Sequence, residues 1–352
     1  MQKLLITTQK VDNNDQLLGF FIDWINRFAQ KFNKITVLCL EKGEFVLPNN
    51  VRVISLGKDR GASKLKQLST FYFLLSTLRN DYDAVFVHMN PIWVVLGGFW
   101  WRIMRKKIFF WYTSGGVTAK LKLAEKFANV IFTASKESFR LPSEKVIVTG
   151  HGIDTELFKP YLERLNLKDG VSRFNLEEIK ILSVGRIAPV KNYETLVDAA
   201  KILKDEGVSF VVTIIGEAPL VKDKKYEESL KFKVKSLKLE ESFYFTGKVN
   251  HVDLLRYYQE NDIFVHLSKT GSLDKTILEA MACGMKVLSS NDSAKAFLSS
   301  EFLFNGDDPT DLANKIVTAR DSELSSKLRE YVVNNHNLDN LINKISQIIT
   351  NA

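Results

Sequence analysis

Along almost the whole chain, short apolar runs rich in β-branched and aromatic residues alternate with longer amphipathic stretches. No other feature of the sequence restricts the fold as much. The runs "KLLITT" (3–8), "KITVLCL" (34–40), "VRVISL" (51–56), "AVFVH" (84–88), "KIFFWY" (107–112), "NVIFTAS" (129–135) and "KVIVTG" (145–150) read as parallel strands buried on both faces. Helical patterns such as 17–32 and 64–79 lie between them. The alternation lapses at 155–178, a stretch with a Pro, a Gly, many charges and no strand signal. It restarts with "IKILSVG" (179–185), "SFVVTIIG" (209–216), "SFYFTG" (242–247), "DIFVHLS" (262–268), "KVLSS" (286–290) and "FLF" (302–304). The pattern predicts an α/β chain of two doubly wound domains. They are expected at 1–165 and 166–323, with 324–352 as a C-terminal amphipathic helix. Ligands of such folds gather in crevices at the carboxyl ends of the strands.

The 352 residues give each domain room for its own core. Cys39 and Cys283 both sit in apolar contexts, so buried free thiols in a reducing compartment are expected, without disulfides or zinc. The N-terminus has no apolar run of signal-peptide length, which points to a cytoplasmic chain. Residues 84–101 are uncharged, but His88, Asn90 and Pro91 interrupt them where a lipid-exposed helix tolerates it least. Strand, turn and helix is the parse, and a membrane span is rejected. Residues 1–170 hold 25 Lys and Arg against 15 Asp and Glu. A basic first half fits an anionic partner.

The strongest local signal is "ILSVGRIAPVKNYETLVDAAKIL" (181–203). A buried strand ends at Gly185, Arg186 and Lys191 follow in the loop, and a helix begins. A guanidinium and an ammonium five residues apart can converge on one diphosphate; a solvated basic loop is the competing reading. In "VTIIGEAP" (212–219), Gly216 ends a strand. In "FYFTGKVNHVDLLRYY" (243–258), backbone groups of Lys248 and Val249 follow another strand end, where a base can be read; a tight turn serves equally well. In "TGSLDKTILEAMACG" (270–284), Thr270, Gly271, Ser272, Leu273 and Lys275 surround Asp274 near a helix start. Glu279 lies deeper among apolar residues, and a carboxylate there can accept two hydrogen bonds from vicinal hydroxyls. The structural alternative is a capping Asp and a surface Glu. No P-loop and no complete G-x-G-x-x-G is present.

In these four segments the chain resembles the retaining glycosyltransferases of family 4, within the glycosyl transferases group 1. The resemblance covers roughly 179–320. It implies a GT-B fold: two Rossmann-like domains facing a central cleft, with the C-terminal helix packing back on the N-terminal domain. It also implies sugar transfer from a nucleotide-sugar donor. By match, Arg186 and Lys191 bind the donor diphosphate, Glu279 the ribose hydroxyls, and Lys248 and Val249 line the base pocket. The family carries a second glutamate eight residues before Glu279; here that position is Gly271. Either Asp274 supplies the missing carboxylate or backbone groups hold the sugar.

In the first half the resemblance is looser. "VIVTGHGIDTELF" (146–158) places His151 near the family's interdomain hinge. Thr113 and Ser114, in "FWYTSGG", stand where many relatives carry a histidine. His88 is expected to face the cleft as an acceptor or sugar contact, or to be structural. Gln9, Asn14 and Asp15 bind a polar acceptor or cap the helix that follows.

The expected chemistry is a metal-independent, configuration-retaining transfer. It uses a UDP- or GDP-linked sugar as substrate, no cofactor, and a saccharide or lipid-linked acceptor, in cell-surface polysaccharide or glycolipid synthesis. Trp100 to Lys107, with Lys64 and Lys66, mix aromatics and cations. They read either as a patch for an anionic membrane surface, making the protein peripheral on the inner face, or as core plus a solvated helix end. No nucleic-acid module is present. The competing classes are a non-catalytic nucleotide-sugar-binding subunit and a GT-B sugar-nucleotide epimerase.

Overall fold

The computed structural model describes residues 2–15, 17–161, 178–268, 271–321 and 326–352. Two compact units divide it. The first comprises Met1–Gly152 with His336–Ala352, the second Ile153–Asn335. The division falls ahead of the expected position at 165, and the return to the first unit comes later than the expected 324.

The first unit is built on a seven-stranded sheet, all parallel, in the order β3-β2-β1-β4-β5-β6-β7. Its strands are β1 (Lys3–Val11), β2 (Lys34–Lys42), β3 (Val51–Ser55), β4 (Ala84–His88), β5 (Lys107–Trp111), β6 (Val130–Thr133) and β7 (Val146–Val148). Every residue of β4 is buried, as expected where helices cover both faces. Leu4, Ile6, Val37 and Phe86 face one apolar layer with Trp24 and Phe28. Their neighbours Leu5, Leu38, Val85 and Val87 face the other, against Phe71, Trp93 and Trp101. The 84–101 stretch resolves as the sequence suggests. β4 ends at His88, the Asn90 side chain accepts from Ile92 N, and Pro91 opens the helix Pro91–Ile103.

The second unit carries a five-stranded parallel sheet ordered β10-β9-β8-β11-β12. Its strands are β8 (Ile179–Val184), β9 (Phe210–Ile215), β10 (Phe243–Gly247), β11 (Ile263–His266) and β12 (Lys286–Ser289). The run 302–304 is not a strand; only Leu303 bridges, to Ser289. Three short residues make too little ladder to compete with the 3-10 turn Ser300–Phe302 beside them.

Two helices also differ from the pattern. The first is Phe21–Ala29 rather than 17–32. Residues ahead of it form a turn in which Asp15 Oδ1 accepts from the backbone N of Leu17 and Leu18. At the C-terminus the pattern gives one helix and the structure two, Ser326–His336 and Leu338–Asn351. Between them Asn337 is extended, and its side chain accepts from Asn340 N at 2.9 Å. A side chain that can cap breaks a helix at little cost.

The last helix lies in the core of the first unit. Leu338, Leu341, Ile342, Ile345 and Ile349 join the layer containing Trp24, Ile25 and Phe28, and Arg27 Nε meets Asp339 Oδ1 at 2.6 Å. Leu341→Ala and Ile345→Ala should therefore each cost about 2–5 kcal/mol in denaturant unfolding. A cost near zero for both would show that this helix is not part of the core.

Candidate functional site

The strand order of the second sheet reverses between β8 and β11, and ligands of open parallel sheets bind outside the carboxyl ends flanking such a reversal. Gly185 follows β8, Gly216 follows β9, and Gly247 ends β10. Their backbones interlock: Gly216 N donates to Gly247 O at 2.9 Å, and Gly185 N to Ile215 O at 2.9 Å. A Cβ on Gly216 would stand 2.0 Å from Gly185 O, on a backbone with φ +142°. No side chain fits there. The Lys191 stem lies across Gly185, where an added Cβ would meet Cε at 3.2 Å. Tyr193 OH donates to Gly185 O at 3.2 Å, and Asn192 Nδ2 to Gly306 O at 2.6 Å. The loop from β8 to the helix Tyr193–Asp205 is thus pinned at both ends.

Asp274 precedes the helix Lys275–Ala282 in the capping position, but its side chain makes no capping bond. Oδ2 instead receives Lys191 Nζ at 2.5 Å and His266 Nε2 at 2.7 Å. Burial alone would raise the Asp274 carboxyl; the Lys191 charge and the His266 contact outweigh it and hold it well below the usual carboxylate range. Burial also lowers His266, more than Asp274 raises it. A neutral His266 that donates from Nε2 presents Nδ1 as an acceptor, and this buried atom finds no hydrogen-bond partner among the described residues.

Glu279 is buried at 2% exposure, which rules out the surface-Glu alternative. His251 Nε2 meets Oε1 at 2.9 Å, Tyr258 OH donates to Oε2 at 3.0 Å, and Lys275 Nζ lies 3.9 Å from Oε1. Burial pushes this carboxyl up. The charge and hydrogen bond of His251, with Lys275 and Tyr258, prevail and bring it down to about 2. It is a fixed anion, oriented through both oxygens.

The other expected residues of this unit are placed variously. Arg186 is exposed, and its side chain makes no hydrogen bond or ion pair among the described residues. It does not share the Lys191 contact with Asp274. Lys248 is exposed, while Val249 packs half-buried against the layer that contains Ile277 and Met281. Gly271 has φ +69°. Ser272 O accepts from Asn291 Nδ2 at 2.8 Å, and Leu273 is in the core. Thr270 lies outside the described residues.

In the first unit the reversal falls between β1 and β4, and Thr8 Oγ1 meets His88 Nδ1 there at 3.2 Å. The expectation that His88 faces a cleft is corrected. The ring is 1% exposed and stacked on Phe21 at 3.8 Å, with Phe20 and Trp24 around it. An imidazole packed this way serves the core. His151 is buried beside Trp111, and its backbone N donates to His336 Nδ1 at 2.9 Å. Asp15 caps a turn and pairs with Lys10 at 3.0 Å; Asn14 Nδ2 donates to Glu44 at 3.2 Å. Gln9 and Ser114 are exposed, and Thr113 Oγ1 lies 3.2 Å from Met89 Sδ. The cysteines are free and buried.

Sequence reasoning missed His251, Tyr258, His266 and Asn291. His251 opens the 3-10 turn His251–Asp253, and Tyr258 lies in the helix Leu254–Glu260 that follows it. Nothing in the sequence ties either to Glu279.

Residues 166–339 match the family described as Glycosyl transferases group 1. This match to the group 1 glycosyltransferases takes in most of the second unit. The chain is 33% identical over 158 residues to the amylovoran biosynthesis glycosyltransferase AmsK of Erwinia amylovora, a match spanning 43% of this chain and 35% of that one. With the UDP-Gal:alpha-D-GlcNAc-diphosphoundecaprenol alpha-1,3-galactosyltransferase of Escherichia coli it shares 23% identity, over 89% of this chain and 88% of the relative. Anabaena HepE, crystallised with UDP and glucose, superposes over 100% of both chains with a TM-score of 0.79 at 19% identity. The fold is GT-B.

The buried Glu279 carboxylate has a consequence for acid stability. Its ordinary value of 4.5 is lowered in the folded chain, so its contribution is complete above about pH 4.5 and fades as pH falls toward about 2. Glu279→Gln should therefore lower stability at neutral pH and flatten the acid limb of the stability curve between these limits. An unchanged acid limb in urea unfolding would refute the assignment.

Proposed function

We propose that this chain transfers a hexosyl group from a nucleoside-diphosphate sugar to a saccharide or lipid-linked acceptor, with retention of configuration, in the making of a cell-surface glycan or glycolipid. The observation that carries this reading is the joint of Gly185, Gly216 and Gly247 at the reversal of the second sheet. It leaves backbone without side chains at the strand ends, against which a nucleotide can lie flat, and the Lys191, Asp274 and Glu279 side chains are held in place beside it. The UDP in HepE and the UDP-Gal named for the Escherichia coli relative support a uridine donor. The same relative's diphosphoundecaprenol supports a lipid-linked acceptor.

In the reaction the bond between the anomeric carbon and the diphosphate breaks. Negative charge grows on the departing phosphate, and Arg186 and Lys191 stabilise it electrostatically without proton transfer. The acceptor hydroxyl attacks from the face the phosphate leaves, and its proton passes to a leaving phosphate oxygen. Glu279, its oxygens already oriented by His251 and Tyr258, keeps lone pairs to accept from the ribose hydroxyls. Lys191 is engaged by Asp274 before the donor arrives, so the diphosphate competes with an internal carboxylate. Once Lys191 turns to phosphate, Asp274 is released toward the sugar, standing in for the acid absent at Gly271.

Arg186→Ala and Lys191→Ala should each lower turnover by about 10²–10³-fold; near-wild-type rates would refute the clamp. Asp274→Asn should reduce turnover while leaving UDP affinity equal or tighter, because Lys191 loses its competitor. A thermal-shift panel of UDP-, GDP- and ADP-sugars names the base. A second reading, a nucleotide-sugar-binding chain without transfer, is favoured by Gly271 and by the Lys191–Asp274 pair. Stabilisation by a donor with no transfer or donor hydrolysis would select it.

A further inference from the structure

The helix Pro91–Ile103 has no polar face. Trp93, Val94 and Trp101 are buried in the core, which corrects half of the expectation for the tryptophan pair. Ile92 and Leu96 pack half-buried against the same core, whereas Phe99, Trp100 and Ile103 are exposed, and Arg102 is the one charge of the helix. A helix apolar all round belongs inside a protein or against lipid. The neighbouring helix Lys64–Thr77 packs beside it, with Tyr72 OH donating to Leu96 O at 3.2 Å. Across the two helices Leu65, Phe73, Phe99, Trp100 and Ile103 keep between 44% and 79% of their surface exposed. Scattered exposed apolar residues are ordinary; five on two adjoining helices form a patch.

Along these two helices and the segment that follows the second, the charge has one sign. Residues 84–124 contain no Asp or Glu but six Lys and Arg, and residues 61–80 contain no acid either. Lys64, Lys66, Arg105 and Lys107 are exposed. Arg102 and Lys106 are held on carbonyl oxygens of Phe127 and Tyr82. Exposed apolar side chains accompanied by exposed cations match the boundary of a bilayer with anionic headgroups, where each cation near the surface adds attraction. Among the described residues no helix is long and apolar enough to cross a membrane, so contact is lateral.

We infer that the helices Lys64–Thr77 and Pro91–Ile103 form a docking surface for an anionic membrane. Phe99, Trp100 and Ile103 enter the headgroup layer, and Lys64, Lys66, Arg105 and Lys107 engage lipid phosphates. None of these residues is among those assigned to sugar transfer, so the test of this surface stands apart from that of the activity.

The full chain is floated with phosphatidylcholine vesicles, with and without phosphatidylglycerol, at low and high salt. Binding is expected only to the anionic vesicles, with loss at high salt. Phe99→Ser/Ile103→Ser and Arg105→Glu/Lys107→Glu should each weaken it by about tenfold or more, while melting temperature and the thermal shift with a donor stay unchanged. Equal binding of both double variants, or binding to neutral vesicles that salt does not affect, overturns the proposal. So does a wild-type dimer, seen by sedimentation, that Phe99→Ser/Ile103→Ser converts to monomer in the absence of vesicle binding. That outcome assigns the patch to self-association.

Discussion

A parallel sheet offers no face to water, and both sheets of this chain answer that constraint in the same way. Alternate residues of each central strand feed two separate apolar layers, as Leu4 and Ile6 do against Leu5. With both faces closed, the strand ends are the remaining places where backbone groups meet solvent. The reactive-looking side chains follow from that. Lys191, His266 and Asp274 assemble where β8 and β11 end because the sheet reverses there. The Gly216 backbone can approach Gly185 because nothing projects from either residue.

At the candidate site, charge is arranged around two carboxylates. Glu279 is satisfied by His251 and Tyr258, and Asp274 by Lys191 and His266. Both carboxylates are held ionised against burial by neighbours of opposite charge or by donors. The two differ in openness. Glu279 keeps 3% of its side chain exposed, whereas Asp274 keeps 28% and shares Oδ2 between Lys191 and His266. Rearrangement on ligand arrival is therefore easier at Asp274, and Glu279 acts as a rigid reference point.

Much of the fold was legible because buried parallel strands leave an unbroken apolar signature. All twelve strands fall within runs recognised from the sequence, though β1 and β2 extend past theirs to Val11 and Lys42. The run 302–304 misled because three apolar residues cannot distinguish strand from turn. The split at Asn337 was hidden because the amphipathic period continues across it; only the local cap reveals the break. At the site, the glycines and Lys191 were legible through position after a strand. The partners of the carboxylates were not, since His251 and Glu279 are brought together by packing 28 residues apart. For His88 the sequence left a ligand contact and a structural role both open, and the stacking of Phe21 on the ring favours the second.

The first unit is not one continuous piece of chain. Its core layer around Trp24 and Phe28 includes Leu341, Ile345 and Ile349, whereas the second unit runs unbroken from Ile153 to Asn335. During synthesis from the N-terminus, the second unit can close its core before the first can. Until residues 338–349 leave the ribosome, the layer beneath the helix Phe21–Ala29 stands open, with an apolar surface that nothing yet covers. The order of folding is thereby set against the order of translation, and the last helix is the piece that ends the exposure.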